Sequence, residues 1–234
     1  MTASHPLEDI LKHRFAQPKL LQQALRHPSF VAEHPEEAPH NQRMEFLGDA
    51  VLQLSLSLLL YKAFPHLDEG ILTRLRTTVV RTEALADFGA EIGLGDHLLL
   101  GKGEEQNGGR QRASNLADGF EAVLAALYLD GGETAADPVC RRLMDFVIQD
   151  EPETLLIDEN PKGALQEFIA LRKEPPPRYT VEAVDGPKHA PRFEMSVRVG
   201  GEIVGRAISG SRKDAEQECA KEALRHFGVL QSPA

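Results

Sequence analysis

The chain has 234 residues, only two of which are cysteines, and a formal net charge of −10 at pH 7. Because Cys140 and Cys219 lie far apart and neither belongs to a CxxC pair, a disulfide framework and a cysteine zinc site are both excluded, and a reducing cytoplasm is favoured. The N-terminal stretch MTASHPLEDILKHRF has mixed charges and no uninterrupted apolar core, so it does not predict a signal peptide.

The charge is unevenly distributed along the chain. Residues 160–234 carry 12 Lys and Arg against 10 Asp and Glu, a net +2, which leaves 14 against 26, a net −12, for residues 1–159. An acidic first part by itself argues against nucleic acid, because phosphate contacts need Lys and Arg. A cluster of acids that binds divalent cations would reverse that local sign.

The N-terminal region predicts two short helices and a loop. Apolar spacing predicts an amphipathic helix over residues 7–15, and Pro18 stands at the tolerated first position of a second helix that ends at His27-Pro28-Ser29. Residues 32–40, AEHPEEAPH, contain two prolines and three charges and therefore predict a loop.

The stretch NQRMEFLGDAVLQLSLSLLL, residues 41–60, predicts the central buried helix, with Asn41 as its N-cap. Glu45 and Asp49 are four residues apart and share one face, either as a functional pair or as acids that complement the helix dipole. Gly48 costs about 1 kcal/mol inside a helix, which predicts a close approach of other backbone. The apolar run ends at Tyr61, short of the roughly 20 residues of a membrane span, so no membrane segment is predicted.

Two stretches of different character follow. Asp68-Glu69-Gly70 precedes one or two further helices, which Gly93 and Gly95 end. Residues 101–112, GKGEEQNGGRQR, form a glycine-rich charged loop. This loop is either a solvated connection or a phosphate contact through Arg110 and Arg112, and its spacing does not match a nucleotide P-loop.

A second acidic helix is predicted after this loop, with Ser114 as its N-cap. Asp118 and Glu121 are three residues apart and share a face, which for one isolated pair usually means a solvated stripe. Two carboxylate pairs on two apolar helices are harder to explain as solvated stripes. A further helix over residues 134–149 completes this part, and DEPETLLIDENP predicts a linker.

The last part of the chain predicts an α-β-β-β-α domain. A helix over residues 162–171 precedes three alternating segments, and a final helix is capped by Ser211. The three strands are predicted over residues 179–184, 193–199 and 202–208. Arg212 and Lys213 in the first turn of the final helix oppose its dipole, which predicts that this positive end binds a phosphate backbone.

These motifs resemble those of the ribonuclease III family of double-stranded-RNA endonucleases. NQRMEFLGDAVL is similar to the family signature NERLEFLGDAVL, while LADGFEAVLAALYLDGG and GKGEEQNGGRQR resemble its second acidic motif and glycine-rich loop. PKGALQEF, GPKHAPRF and SRKDAEQECAKEAL resemble its double-stranded-RNA-binding domain. The resemblance implies an α+β protein with an all-helical nuclease domain (residues 1–152), a linker (153–159) and an α-β-β-β-α RNA-binding domain (160–229).

The resemblance also implies a set of site residues. Four carboxylates would bind Mg2+, with Mn2+ as a substitute: Glu45, Asp49, Asp118 and Glu121. Of these, Asp49 and Glu121 would be catalytic. Glu69 and Gln42 would support the cleavage centre, although capping also explains Glu69, and Gln42 stands where the family usually has Glu. The RNA-binding residues would be Gln166, Glu167, His189, Ser211, Arg212 and Lys213.

For the activity, the resemblance implies in-line attack of water on double-stranded RNA, giving 5′-phosphate and 3′-hydroxyl ends with two-nucleotide 3′ overhangs. Processing of ribosomal, messenger and small RNA precursors would follow. The nuclease domain would form a homodimer, with Phe46 either in its interface or in the monomer core. The protein would be cytoplasmic and have no membrane partner.

Two other functions are compatible with parts of the pattern. A dimeric double-stranded-RNA-binding protein that no longer cleaves would keep both folds, but the intact set of four carboxylates argues against it. A helical di-metal oxidase also gathers carboxylates, but it uses a Glu-x-x-His motif, whereas Gly48 and Glu121 follow Glu45 and Asp118 at that spacing. An oxidase would also leave the C-terminal domain without a role.

Overall fold

A computed structural model describes residues 5–149, 152, 154, 157, 160–187 and 190–230. The chain divides into two compact units, Met1–Gln149 and Asp150–Ala234. The predicted linker, residues 153–159, falls largely outside the described residues. The domain bounds 1–152 and 160–229 therefore stay predictions.

The first unit is helical, which confirms the predicted class of the N-terminal domain. Proline occupies the first position of the three short helices at the N-terminus, where its missing N–H costs nothing. The helices are α1 (Pro6–Leu11), α2 (Pro18–Ala24), α3 (Pro28–Glu33), α4 (Gln42–Ala63), α5 (Glu69–Val80), α6 (Thr82–Glu91), α7 (Lys102–Gln106), α8 (Ala113–Gly131) and α9 (Glu133–Val147). Short 3-10 turns occupy Pro35–Glu37, Leu94–His97 and Gly109–Gln111.

Helix α8 is the centre of this unit and packs against α2, α4, α6 and α9. Its residues from Ala122 to Leu127 are completely buried, because alanines on several faces let neighbouring helices approach closely. Phe120 of α8 contacts Phe88 of α6 edge to face, with ring centroids 5.4 Å apart. The acidic residues of α8 are therefore carried on a helix surrounded by protein.

Helix α4 belongs to the one segment, among the described residues, that is long and apolar enough to cross a membrane. This segment, Pro35–Ala63, meets that test by length and composition only, and 44% of its most apolar window is buried inside the protein. The count from the sequence, which stopped at Tyr61, underestimated its length. A buried core helix passes the same test, and Leu52 and Leu56 of α4 are completely buried.

Asp130, at the C-terminal end of α8, binds the segment between α1 and α2 through hydrogen bonds. Its carboxylate accepts hydrogen bonds from Gln17 N (2.8 Å) and Ala16 N (3.0 Å) and lies 2.8 Å from Nε2 of His13. Burial alone would raise the pKa of Asp130, but these bonds outweigh burial and lower it below its ordinary value. The ionised carboxylate thus stabilises the folded state.

Replacing this acceptor should destabilise the first unit. Asp130→Asn keeps one oxygen acceptor but turns an NH2 group toward the other backbone donor, and losing a hydrogen bond to a charged group costs about 1.5 kcal/mol. Because the folded pKa lies below the ordinary 3.8, the wild-type advantage should be complete at neutral pH and disappear as the pH falls through the folded pKa. Urea unfolding from pH 3 to 8 measures it. Asp145→Asn, at an exposed position, is the control. Equal stability of both variants at pH 7 would contradict the stabilising role of the Asp130 hydrogen bonds.

The second unit has the predicted α-β-β-β-α order. Helix α10 (Pro161–Leu171) precedes strands β1 (Arg178–Asp185), β2 (Arg192–Val199) and β3 (Glu202–Ser209), and α11 (Arg212–His226) follows. The strands form an antiparallel sheet in the order β1-β2-β3. The helices bury one face of this sheet through a core that includes Leu165, Ile169, Met195, Val197, Ala220 and Leu224.

One glycine sets the distance between α11 and the sheet. A Cβ at Gly205 of β3 would lie 2.3 Å from the carbonyl oxygen of Cys219 in α11. No side chain fits there, so the backbones of strand and helix are in direct contact. This contact holds the middle of α11 against the sheet.

Candidate active site

The two acidic helices of the first unit cross at Gly48. A Cβ on this residue of α4 would lie 1.8 Å from the carbonyl oxygen of Glu121 in α8, closer than any side chain can approach. The close backbone approach predicted at Gly48 is therefore confirmed. The crossing places the backbone of Glu121 against the turn of α4 that carries Glu45 and Asp49.

Both predicted carboxylate pairs belong to one electrostatic cluster. Burial, followed by the nearby charges of Asp49, Asp118 and Glu45, raises the pKa of Glu121 to about 8. Burial, followed by Asp118, also raises the pKa of Glu45. Burial raises the pKa of Asp118, while His27 acts in the opposite direction. The helix crossing thus brings together four acids that the sequence had placed only as two separate pairs.

The chemistry of this cluster fits a hard divalent cation. All four side chains offer carboxylate oxygens, the ligands that Mg2+ prefers, and a cation would relieve the repulsion that raises the pKa of Glu121. Among the described residues, no three His, Cys, Asp or Glu side chains already stand in a metal-holding arrangement. Mg2+ usually takes one or two carboxylates and keeps several waters, so the carboxylate oxygens present here fit the ion. Movement of the acidic side chains would complete the site.

The glycine-rich segment before α8 is more ordered than the predicted loop. It contains α7 and the 3-10 turn Gly109–Gln111. Arg110 donates to the carbonyls of Gly95 (2.8 Å) and Leu98 (2.9 Å) and pairs with Glu105 through two nitrogens. Its guanidinium therefore braces the segment, and the alternative of phosphate contact through Arg110 would require breaking these bonds.

The predicted N-cap of the second acidic helix was wrong. Helix α8 begins at Ala113, so Ser114 lies inside its first turn, and Arg112 occupies the cap position. The first turn is instead held by Asn115, which is 6% exposed and donates to Glu104 Oε1 (2.7 Å) and to the Gly109 carbonyl (3.0 Å). No side chain caps α8, and the Asn115 amide instead links its first turn to the preceding segment.

In the second unit, the predicted RNA-binding residues lie on the two helices. Gln166 and Glu167 are exposed on α10, and Arg212 and Lys213 are exposed in the first turn of α11. Ser211 caps α11 by accepting a hydrogen bond from Asp214 N at 3.1 Å, as predicted. The remaining predicted contact, His189, lies outside the described residues.

One acidic side chain lies among these basic groups. Glu216 of α11 accepts a hydrogen bond from Arg212 Nε at 3.0 Å and pairs with Lys162 at the start of α10. The two cations lower the pKa of Glu216, with Lys162 as the larger influence. Part of the positive charge at the end of α11 is therefore balanced within the unit.

Comparison with known proteins agrees with both units. Residues 17–146 match the family described as ribonuclease-III-like, and residues 161–226 match the double-stranded RNA binding motif. The chain is 40% identical over 223 residues to Ribonuclease 3 of Syntrophobacter fumaroxidans, which covers 94% of this chain and 92% of that protein. The chain belongs to the ribonuclease III family. It is accordingly an endoribonuclease that acts on double-stranded RNA and carries a double-stranded-RNA-binding domain.

Other relatives support this membership. Ribonuclease 3 of Carboxydothermus hydrogenoformans is 42% identical over 220 residues, which cover 93% of each chain. The solved nuclease domain of ribonuclease III from Campylobacter jejuni is 37% identical, with a TM-score of 0.55, and matches 59% of this chain and 94% of that one. The predicted fold class of this ribonuclease III is thus confirmed.

The hydrogen bonds that the structure shows for Glu69 and Gln42 of this ribonuclease III are local ones. Glu69 accepts a hydrogen bond from Thr73 Oγ1 (3.2 Å), and its neighbour Asp68 caps α5 by accepting from Ile71 N (2.9 Å). Gln42 is exposed at the first position of α4, where its N–H donates to His40 Nδ1 at 3.4 Å. Their predicted support of the cleavage centre stays a prediction.

Sequence reasoning missed the interactions of His27, Glu104 and Asn115. The charges of Glu104 and Asp118 act on the pKa of His27, and Asn115 donates to Glu104 Oε1, but His27-Pro28-Ser29 was interpreted only as a helix end and Glu104 only as part of a charged loop. Glu104 accepts from Asn115 and Arg112, and these bonds lower its pKa. A His or Asn near a helix boundary is common, so only the tertiary contacts single these residues out.

Proposed function

We propose that this ribonuclease III cleaves double-stranded RNA with Mg2+, or Mn2+ as a substitute, held by Glu45, Asp49, Asp118 and Glu121. The products would be 5′-phosphate and 3′-hydroxyl ends with two-nucleotide 3′ overhangs. The observation that supports this best is the convergence of the four acids at a partly buried site, where burial first and the neighbouring charges second raise the pKa of Glu121 to about 8. Bound there, the ion supplies an activated water and stabilises the leaving oxygen.

The chain's own residues would prepare that chemistry. With its pKa at about 8, Glu121 holds a proton at neutral pH, and a cation would displace this proton. Gly48 lets α4 and α8 approach closely enough for Asp49 and Glu121 to act together as the catalytic pair. Because Asp49 and Glu121 are carried on two packed helices, their side chains would have to move little to bind the metal ion.

The second domain would hold the duplex. Gln166 and Glu167 on α10, with His189, would reach the minor groove, while Ser211, Arg212 and Lys213 on α11 would contact phosphates. The exposure of Gln166 and Glu167 on α10, and of Arg212 and Lys213 on α11, supports this arrangement. Such contacts recognise the A-form shape and 2′-hydroxyls of RNA rather than its base sequence.

We also propose a homodimer through the nuclease domain. Phe46 is 82% exposed, and it begins an apolar stripe on α4 that continues through Leu54, Leu58 and Tyr61. Beside it, Leu47, Val51, Leu54 and Tyr128 line a cavity of about 180 Å³. A two-fold axis would place Phe46 of each protomer against this apolar surface of its partner. A solved structure of the Campylobacter jejuni nuclease domain describes a region involved in dimer formation of that protein.

Truncating Phe46 should dissociate this dimer. An isologous interface contains Phe46 twice, and a buried aromatic hot spot contributes about 2 kcal/mol. Phe46→Ala should therefore weaken self-association by about 4 kcal/mol, roughly a thousandfold, measured by sedimentation equilibrium. Leu171→Ala is the matched control, because Leu171 is 84% exposed but lies in the other unit. An unchanged dimer in Phe46→Ala would exclude this face.

Incubation with a long, perfectly paired RNA duplex tests the activity. We expect short duplexes with 5′-phosphates and 3′ overhangs in Mg2+ or Mn2+, and none in EDTA. Binding without cleavage would favour the alternative of a non-cleaving dimeric platform and would make Gln42→Glu the first reversion to test. Cleavage in EDTA would contradict the metal assignment.

The cellular setting is proposed from composition. Cys140 and Cys219 are both free and buried, which suits a reducing cytoplasm. Ribosomal, messenger and small RNA precursors with paired segments are the substrates that shape recognition would accept.

A further inference from the structure

One carboxylate connects the two helices of the RNA-binding unit. Glu216, in the second turn of α11, pairs through Oε2 with Lys162 in the first turn of α10. Its other oxygen, Oε1, accepts a hydrogen bond from Arg212 Nε at 3.0 Å. The Glu216 side chain is only 15% exposed, and each of its two oxygens has a cationic partner. The bond from Lys162 is the largest influence on the pKa of Glu216 and lowers it, so the carboxylate is ionised at neutral pH.

Lys162 holds this carboxylate from outside α11. The backbone N–H of Lys162 donates to Gln217 Oε1 at 3.2 Å. Its ammonium group lies 4.9 Å from the centroid of the Tyr179 ring, near the start of β1. These contacts join Lys162 to the helix and to the sheet, and its charge is balanced by Glu216. Lys162 is therefore a structural partner of Glu216 rather than a free phosphate-binding cation.

The bond to Glu216 uses only one edge of the Arg212 guanidinium. A guanidinium has five N–H donors in a planar fork, and Nε supplies one of them. The Arg212 side chain is 66% exposed, and among the described residues Glu216 is its one hydrogen-bond partner. The terminal nitrogens Nη1 and Nη2 are thus left to bind a phosphate through two parallel hydrogen bonds.

The other acid in the first turns of α11 has a different partner. Asp214 N donates to Ser211 Oγ at 3.1 Å, and the Ser211 hydroxyl donates to Asp214 Oδ2 at 2.7 Å. These two bonds close the helix cap, so Glu216 is the acid that holds Arg212. An exposed ion pair on one helix contributes little to stability by itself. The bond from α10 distinguishes Glu216 from such a pair, because it fixes the carboxylate that Arg212 contacts.

We propose that Glu216, held by Lys162, is a positioning residue that orients Arg212 for binding a phosphate of the duplex. This role rests on the proposed contact of Arg212 with RNA. Ordering a long side chain on binding costs affinity, and Glu216 imposes that order before the RNA binds. This gain offsets the repulsion between Glu216 and the phosphates. The competing role is purely structural, as an ion pair that joins α10 and α11.

Two substitutions that change the charge equally separate orientation from electrostatics. Glu216→Gln keeps an oxygen that accepts from Arg212 Nε, whereas Glu216→Ala has no acceptor. Both remove one negative charge, so electrostatics alone predicts that they bind RNA with the same affinity. We expect the full chain with Glu216→Ala to bind a perfectly paired RNA duplex of about 20 base pairs about 2- to 10-fold more weakly than Glu216→Gln. Fluorescence anisotropy in EDTA measures the two dissociation constants.

The same helix supplies matched controls. Glu222 pairs with Arg225 near the other end of α11, so Glu222→Ala and Glu222→Gln should bind the duplex alike. In an Arg212→Ala background, Glu216→Ala and Glu216→Gln should also bind alike, because the side chain to be oriented is gone. A difference between the Glu216 variants that persists without Arg212 would overturn the positioning role and leave the structural one.

Arg212→Lys tests the orientation with the ion pair between the helices intact. Lysine keeps the charge but presents a single nitrogen to Glu216 and to the phosphate, instead of two edges of a planar fork. We expect this variant to bind the duplex about 2- to 10-fold more weakly than the wild type, with an unchanged melting temperature. Wild-type affinity would overturn the proposal, even if Glu216→Ala failed to fold.

The binding constants distinguish this inference from the proposed function. If Arg212→Ala weakens duplex binding and the two Glu216 variants bind alike, the positioning role is overturned and the RNA contact of Arg212 stands. If Arg212→Ala binds as tightly as the wild type, the proposed contact fails and the role of Glu216 fails with it.

Discussion

Gly48→Ala should abolish cleavage and strongly destabilise the first unit. The new Cβ would lie 1.8 Å from the Glu121 carbonyl oxygen and 2.5 Å from its carbon, so the two helices must separate. Overpacking of a core typically costs about 1–3 kcal/mol, and we expect at least the upper value because the obstacle is backbone. Displacing catalytic groups by about 1 Å can cost a hundredfold in rate, so cleavage should fall by at least that factor.

Urea unfolding and single-turnover cleavage measure both effects. Gly103→Ala is the matched control, because a Cβ there meets nothing within 4 Å. Duplex binding by Gly48→Ala should persist, since the RNA-binding unit has its own core. A Gly48→Ala protein with wild-type stability and activity would contradict the helix crossing.

Glu121→Gln should abolish metal-dependent cleavage and yet stabilise the metal-free protein. The substitution keeps the shape of the side chain and removes a carboxyl that burial and three neighbouring acids disfavour in its charged form. Duplex binding should be unchanged. The residue would thus be retained for activity at a cost in stability, as is common at functional sites.

The pH dependence of this gain has a definite sign. The pKa of Glu121 is raised from 4.5 to about 8, so between these values the folded protein binds more protons than the unfolded chain. Wild-type stability therefore falls as the pH rises through this window, and the variant lacks this loss. Allowing for solvent screening, we expect an advantage of about 1–2 kcal/mol at pH 8 and none below pH 4.5.

Thermal and urea unfolding in EDTA from pH 4 to 9 measure this difference. Adding Mg2+ should stabilise the wild type by binding only its folded state, with a smaller effect on Glu121→Gln. The exposed Glu83→Gln on α6 serves as the control. An active Glu121→Gln enzyme would remove Glu121 from the catalytic set. A variant less stable than the wild type at pH 8 would contradict the view that burial and repulsion by the neighbouring acids disfavour the charged form of Glu121.

Much of the secondary structure followed from local patterns. The apolar periodicity of α4 and α8, the alternation of the three strands and the Ser211 cap each depend on residues only a few positions apart. The same local geometry predicted that Glu45 and Asp49 share one helix face, and likewise Asp118 and Glu121. Resemblance to known motifs added the expectation that the two pairs belong to one site.

Local patterns were less informative where the contacts of a side chain depend on a residue that is distant in the sequence. Ser114 has the right type for a cap, but α8 begins at Ala113, and its first turn is joined to the preceding segment by the bond from Asn115 to Glu104. The arginines of the glycine-rich segment looked available for phosphate, but Arg110 is engaged by carbonyl groups and Glu105. Each outcome depended on a partner that sequence spacing does not reveal.

The sequence by itself determined the helical class of the first unit, the α-β-β-β-α order of the second, and which acids share a face, because a helix repeats every 3.6 residues whatever surrounds it. Only the tertiary structure decided that the backbone of Gly48 meets that of Glu121 and that four acids form one electrostatic cluster. The physical reason is that burial and charge interactions sum over all neighbours in space, and the crossing of two helices selects those neighbours.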